Sequence, residues 1–201
     1  MLKFAHLPFK EIQINLADSQ NRAELLLLAP STLVPKLQHQ GYEIWDVIAI
    51  GEYLNETFPQ AHLLPTNLKQ RAYCRSICGE MHAGFQSLRS ALPMNLKAQY
   101  QTIKVWSKAQ QDINRIAEIW ADCLQRYKGP FLFGSQRSLA DAMYTPVVCR
   151  LNTYGLLLNG NLFNEAIQRY CQTILTMPEL REWTHGALNE VEEIEELEME
   201  F

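Results

Sequence analysis

The chain has 201 residues, 47% of them hydrophobic and 20% charged, with a formal net charge of -4; a chain of this size buries roughly 70% of its unfolded surface and folds without a disulfide or metal staple. Its longest apolar run, residues 25–30, falls far short of the roughly 20 residues that span a bilayer, and no secretory leader pattern stands at Met1, so we read a cytoplasmic protein with no membrane segment. Seven of the 22 acids (Glu190, Glu192, Glu193, Glu195, Glu196, Glu198 and Glu200) close the chain, leaving 18 bases against 15 acids elsewhere; with no Lys/Arg stripe interleaved with aromatics, nucleic acid is not an expected partner.

Residues 9–16 (FKEIQINL) alternate apolar and polar side chains, the period of a strand. Residues 21–28 read as a short helix ended by Pro30, and residues 34–38 and 42–45 as two short strands joined by a turn at Gln40-Gly41. Asp46 opens a helix over residues 46–58, where Ile48, Ile50, Tyr53 and Leu54 recur at helical spacing. Residues 1–60 thus form a small α/β unit, and residues 61–66 read as an apolar linker pinned to the body.

From residue 67 the strand signal vanishes and an all-α domain runs to about residue 190. We place helices at about 67–91, 100–127, 138–154, 161–176 and 179–189, punctuated by Pro93, Gly129-Pro130, Gly155, Gly160 and Pro178. Ser138 and Asp141 have the spacing of a capping box, each half worth about 1 kcal/mol, and Pro146 is expected to kink the same helix or open one backbone bond. The five cysteines, Cys74, Cys78, Cys123, Cys149 and Cys171, are odd in number and lie in helical stretches, which points to reduced thiols. Cys74, Cys78 and His82 share one helical stripe, but three in-line ligands cannot make a tetrahedron, so we read core thiols and expect no metal. Residues 191–201 read as an acidic tail with Val191, Ile194, Leu197 and Phe201 at roughly helical spacing; docking on the mildly basic body or a partner is one reading, and a frayed, solvated extension is the default.

Four stretches, in order, resemble the cytosolic glutathione transferases: Leu33-Val34-Pro35-Lys36-Leu37, residues 45–54 (WDVIAIGEYL), the pair Ser138 and Asp141, and residues 80–95 with 140–154, which are similar to bacterial members. The resemblance covers nearly the whole chain up to residue 190. It implies a thioredoxin-like N-terminal domain followed by an all-α C-terminal domain, a homodimer, and glutathione as co-substrate for transfer to a small electrophile. In the family pattern the backbone of Val34, before a cis Pro35, pairs with the cysteinyl part of glutathione, and the strand-to-helix turn at Asp46 and Val47 holds the γ-glutamyl end. A helix start with free amides is itself a place for a carboxylate. Asp46 has two readings, a helix cap and a partner for the γ-glutamyl ammonium; the family pattern favours the second. On the same pattern Arg71, Arg75, Met81, His82, Phe85 and Arg89 are candidates for the cleft or the dimer interface, with core packing and solvated faces as the plain alternative.

The chain also departs from the pattern. Residues 1–11 (MLKFAHLPFKE) are similar to the second half of the family's first helix and its exit loop, which would put the first strand and the catalytic Ser, Tyr or Cys upstream of Met1, the domain being truncated to that extent. Residues 9–16 then lack their sheet neighbour, so we expect a rearranged N-terminal sheet or mobility before about residue 20. Val47 stands where Ser or Thr is usual, and Leu33 where a polar residue is common. Three outcomes stay open: a transferase, a non-catalytic glutathione-binding or dimeric scaffold, and a native chain that begins further upstream with a complete site.

Overall fold

The computed structural model describes residues 1–14, 34–101, 104–158 and 163–190, in two compact units, Met1–Leu64 and Pro65–Phe201. In the first unit, residues 2–6 form a run of turns. Ala5 N donates to Met1 O and Leu7 N to Leu2 O, both at 3.1 Å, around His6 at φ 52. This six-to-one bond across a left-handed residue is the Schellman pattern, and it brings Leu2 and Leu7 together. Both leucines pack, with Met1, Ala5, Leu37, Ile44 and Phe58, against Ile50, Leu54 and Leu63.

Residues 8–14 form no strand, which corrects the reading of residues 9–16 as one over its described part; residues 15 and 16 lie outside the described residues, as does the helix expected at 21–28. Alternation makes a strand only where a neighbour takes up the backbone groups and one face is covered. Phe9, Ile12 and Ile14 are instead exposed. The sheet among the described residues is a single antiparallel hairpin of β1 (Lys36–His39) and β2 (Tyr42–Trp45). Its two-residue turn puts Gln40 and Gly41 at φ 49 and 83, the type I′ pattern whose twist matches the strands. Leu37 pairs with Ile44 and faces the core, so the register is fixed by burial. Helix α1 (Val47–Thr57) lays Ile50 and Leu54 on the same core, and Asn55 Oδ1 accepts from Leu64 N at 3.0 Å to hold the end of the unit.

The second unit is helical: α2 (Leu68–Ala83), α3 (Gln86–Ala91), α4 (Ser107–Tyr127), α5 (Leu139–Thr153), α6 (Glu165–Leu175) and α7 (Pro178–Asn189). The helix expected over 67–91 is two, because Gly84 is extended and Phe85 takes φ 61 to turn its ring into the core. The helix expected from 100 starts at Ser107. Before it, residues 92–101 are pinned to the end of α5: Tyr154 OH donates to Pro93 O, Thr153 Oγ1 to Asn95 O and Tyr100 N to Thr153 O, while Asn95 Oδ1 accepts from Lys97 N and Ala98 N.

α2 packs on α5, α3 on α4, and α6 on both α4 and α5, around Trp120, whose ring meets Tyr144 and Tyr170 edge-on at 5.8 and 5.2 Å. The capping box closes in both directions, and the fully buried Asp141 does more than the spacing suggested. Its Oδ2 accepts from Ser138 N and Oγ, and its Oδ1 reaches out of the helix to take Leu132 N at 3.0 Å. α5 runs on through Pro146, which leaves the Ala142 carbonyl without its helical donor.

Candidate functional site

The hairpin register decides where the predicted site residues lie. Lys36 pairs with Trp45, so the residues just outside that pair, Pro35 and Asp46, stand at the same end of the hairpin. The Val34-Pro35 bond is cis, and Val34 is exposed. Neither the Val34 amide nor its carbonyl bonds to another described residue, which leaves both for an extended peptide backbone. Leu33 lies outside the described residues.

Asp46 sits at φ 74, a left-handed value that places its side chain over the first turn of α1. Its Oδ1 accepts from Ile48 N at 2.8 Å and Ala49 N at 3.2 Å, and its carbonyl takes the first helical bond, from Ile50 N at 2.9 Å. Asp46 therefore caps its own helix. Of the three first-turn amides, Ile48 and Ala49 are taken by this cap, and Val47 N makes no bond among the described residues. The site thus offers one main-chain donor for a carboxylate, a carboxylate for an ammonium, and a peptide edge at Val34, with no side-chain hydroxyl at Val47. The positive φ of Asp46 is what the sequence reading missed; an acid at a helix start is the only signal it leaves.

Hydroxyls are scarce here. Tyr42 is exposed beside the turn at the far end of the hairpin, Thr57 ends α1, and the Tyr53 hydroxyl pairs with His39 Nδ1 at 2.7 Å. Ser19, Ser31 and Thr32 lie outside the described residues. Among the described residues of this unit, none puts a hydroxyl or thiol at the Pro35 and Asp46 end.

The helical candidates divide differently. Arg71 donates to the Pro65 and Thr66 carbonyls, and Arg89 to those of Met81 and Gly84, so both close helix ends. Met81 and Phe85 are buried, while Arg75 and His82 reach the surface. Cys74 and Cys78 are buried and His82 is exposed, so the stripe does not converge on a point. Among the described residues, no three His, Cys, Asp or Glu side chains gather as metal ligands, and no helix is long and apolar enough to cross a membrane.

Residues 1–56 match the family described as "Glutathione S-transferase, N-terminal domain". The maleylacetoacetate isomerase of Mus musculus is 30% identical over 149 residues, covering 73% of this chain and 68% of that protein. A probable maleylacetoacetate isomerase 1 of Drosophila melanogaster is 32% identical over 125 residues, 62% of this chain; the match spans only 50% of the fly protein's length. Among solved structures, a glutathione transferase homologue from Burkholderia gl BGR1 with bound glutathione superposes with a TM-score of 0.64 at 22% identity, over 92% of this chain and 86% of that one. At that identity the likeness establishes the fold, thioredoxin-like at the N-terminus and all-helical beyond it.

Proposed function

The chain belongs to the glutathione S-transferase family, and from that premise we propose that it binds glutathione at the hairpin end, through Val34, Pro35, Asp46 and Val47. The observation that carries this reading is the register: it sets the exposed Val34 main chain and the start of α1 side by side. The Val34 amide and carbonyl pair with the cysteinyl residue in the manner of a short antiparallel bridge. Asp46 holds the γ-glutamyl ammonium while its cap bonds keep the carboxylate aimed across the turn. Val47 N takes the γ-glutamyl carboxylate.

Bound there, glutathione supplies a thiol for transfer to a small electrophile. The names of the relatives suggest maleylacetoacetate as a substrate to be isomerised, with no net transfer of glutathione. A second reading is a glutathione-binding protein without turnover. One experiment separates them: retention on glutathione resin, followed by turnover of a chloronitrobenzene acceptor and of maleylacetoacetate by the retained protein. Retention with turnover supports the transferase, retention alone supports the binding protein, and passage through the resin overturns both. The reading extends to a cytoplasmic homodimer, for which light scattering should give about twice the chain mass of 23.2 kDa.

A further inference from the structure

Two arginines flank the last turn of α3. Arg89 stands in that turn, and Arg150, on α5, donates through Nε at 2.8 Å to the carbonyl of Leu92, the residue that ends α3. Arg150 Nη1 goes on to Pro146 O at 3.2 Å and Met94 Sδ at 3.6 Å. Arg89 reaches back to the end of α2, with Nη2 on Met81 O at 2.7 Å and Nε on Gly84 O at 3.4 Å. Neutral acceptors thus fix each guanidinium at Nε and at one terminal nitrogen. The other terminal nitrogens, Nη1 of Arg89 and Nη2 of Arg150, make no bond among the described residues.

A base without an acid is ordinary where water solvates it, as at the exposed Lys69, Lys108, Lys128 and Arg181 of this unit. Arg89 and Arg150 differ in being half-buried together, with the charge of one felt at the other. Burial first, and the Arg89 guanidinium second, hold Arg150 below the usual arginine range. Asp112 of α4, the helix that packs on α3, is not their counter-ion: its Oδ2 accepts from Leu88 N at 2.8 Å. The carbonyls and the sulfur that hold the two cations carry no net charge to offset their repulsion.

We propose that Arg89 and Arg150 form a binding site for a small carboxylate, which takes one terminal nitrogen from each guanidinium. The main-chain anchors set both guanidinium planes before the ligand arrives, so little side-chain freedom is lost on binding. A carboxylate brings two oxygens for two open nitrogens, and one negative charge between two positive ones. Being singly charged, it also gives up less hydration than phosphate on entering a half-buried place. The site lies in the second unit, whereas the glutathione contacts proposed above lie in the first, so the two readings are tested separately.

Phenylglyoxal, which modifies guanidinium groups, tests this on the full, unsubstituted chain with sodium acetate as the probe and sodium chloride at equal ionic strength as the reference. Acetate should slow the modification of Arg89 and Arg150, read by peptide mapping, severalfold and leave the exposed Arg181 unchanged. Acetate at about twenty times its dissociation constant should also raise Tm by about 5 °C. That rise should vanish in Arg89→Gln and in Arg150→Gln, each compared with itself in chloride. Arg150→Gln also loses a bond to the end of α3, so if it fails to fold, the protection measured on the unsubstituted chain and the Arg89→Gln result decide. The proposal is overturned if chloride protects as well as acetate, if Arg181 is protected equally, if neither arginine is protected, or if Arg89→Gln keeps the full rise. Inorganic phosphate that protects at lower concentration than acetate overturns the assignment to a carboxylate.

Discussion

Asp46 caps α1, and substitution can separate that cap from the glutathione contact proposed for it. Asp46→Asn keeps an oxygen to accept from Ile48 N and Ala49 N but removes the charge proposed to face the γ-glutamyl ammonium. Stability should stay near wild type while glutathione affinity, measured calorimetrically, falls roughly ten- to hundredfold, the worth of one charge-assisted bond. Asp46→Ala should add about 1 kcal/mol of destabilisation for the lost cap. Equal affinity in wild type and Asp46→Asn would show that Asp46 is a cap and nothing more. Asp141 tests a buried acid. Burial, the largest influence, outweighs the amide and hydroxyl donors and raises its pKa. A carboxyl raised on folding contributes stability that is complete below its unfolded value of about 3.9 and is lost as pH climbs through the folded value. Urea unfolding should therefore show wild type losing stability relative to Asp141→Asn as pH rises from that point; the opposite slope would mean that the donors to the carboxylate outweigh its desolvation. Both acids were legible from their place at a helix start, Asp46 as the cap of α1 and Asp141 in the first turn of α5. What they do beyond it was not: the φ of Asp46 and the reach of Asp141 to Leu132 depend on loops whose path residue type does not encode.

Gly84 shows at the level of an element why one predicted helix became two. A Cβ at this position would stand 2.7 Å from the Glu80 carbonyl oxygen, a backbone atom that the end of α2 holds in place. Gly84→Ala should cost roughly 1–3 kcal/mol in urea unfolding, although a substitution of glycine by alanine inside a helix normally stabilises; a gain in stability would mean that the break between α2 and α3 is not set by this contact. The same competition of local signal with distant contact explains which elements could be read. α5 and α7 are announced by Ser138 and Pro178 at their starts, and the hairpin by Gln40-Gly41, all signals carried within a few residues. The start of α4 was read too early because residues 92–101 answer to Thr153 and Tyr154, more than fifty residues away. Residues 9–14 failed differently. Alternation is a local property, whereas pairing needs a neighbour that the pattern does not name. The proposed site was legible only by resemblance: Val34-Pro35 and Asp46 are unremarkable dipeptide and acid until the register of β1 on β2 sets them at one end of the hairpin.

Across the whole molecule the cysteines report on one unit and are silent on the other. All five lie in the second unit and are buried, from α2 through α6. Burial is also the leading reason that the thiols of Cys123, Cys149 and Cys171 are pushed up to about 12, where little thiolate exists at neutral pH. A thiol reagent such as a dithiobis-nitrobenzoate must therefore wait for the helical core around Trp120 to open, and its labelling rate measures that opening. In the native chain none of the five should react on the timescale on which all five react in guanidinium. Asp141→Ala, which leaves Leu132 N and Ser138 N unanswered inside that core, should accelerate labelling by the several kcal/mol that a broken buried network represents, on the order of a hundredfold or more. Asp46→Ala destabilises only the first unit, where there is no thiol, and should leave the labelling rate unchanged. An equal acceleration by both substitutions would show that the two units unfold as one, and the stability of the proposed glutathione site could then no longer be varied independently of the helical core.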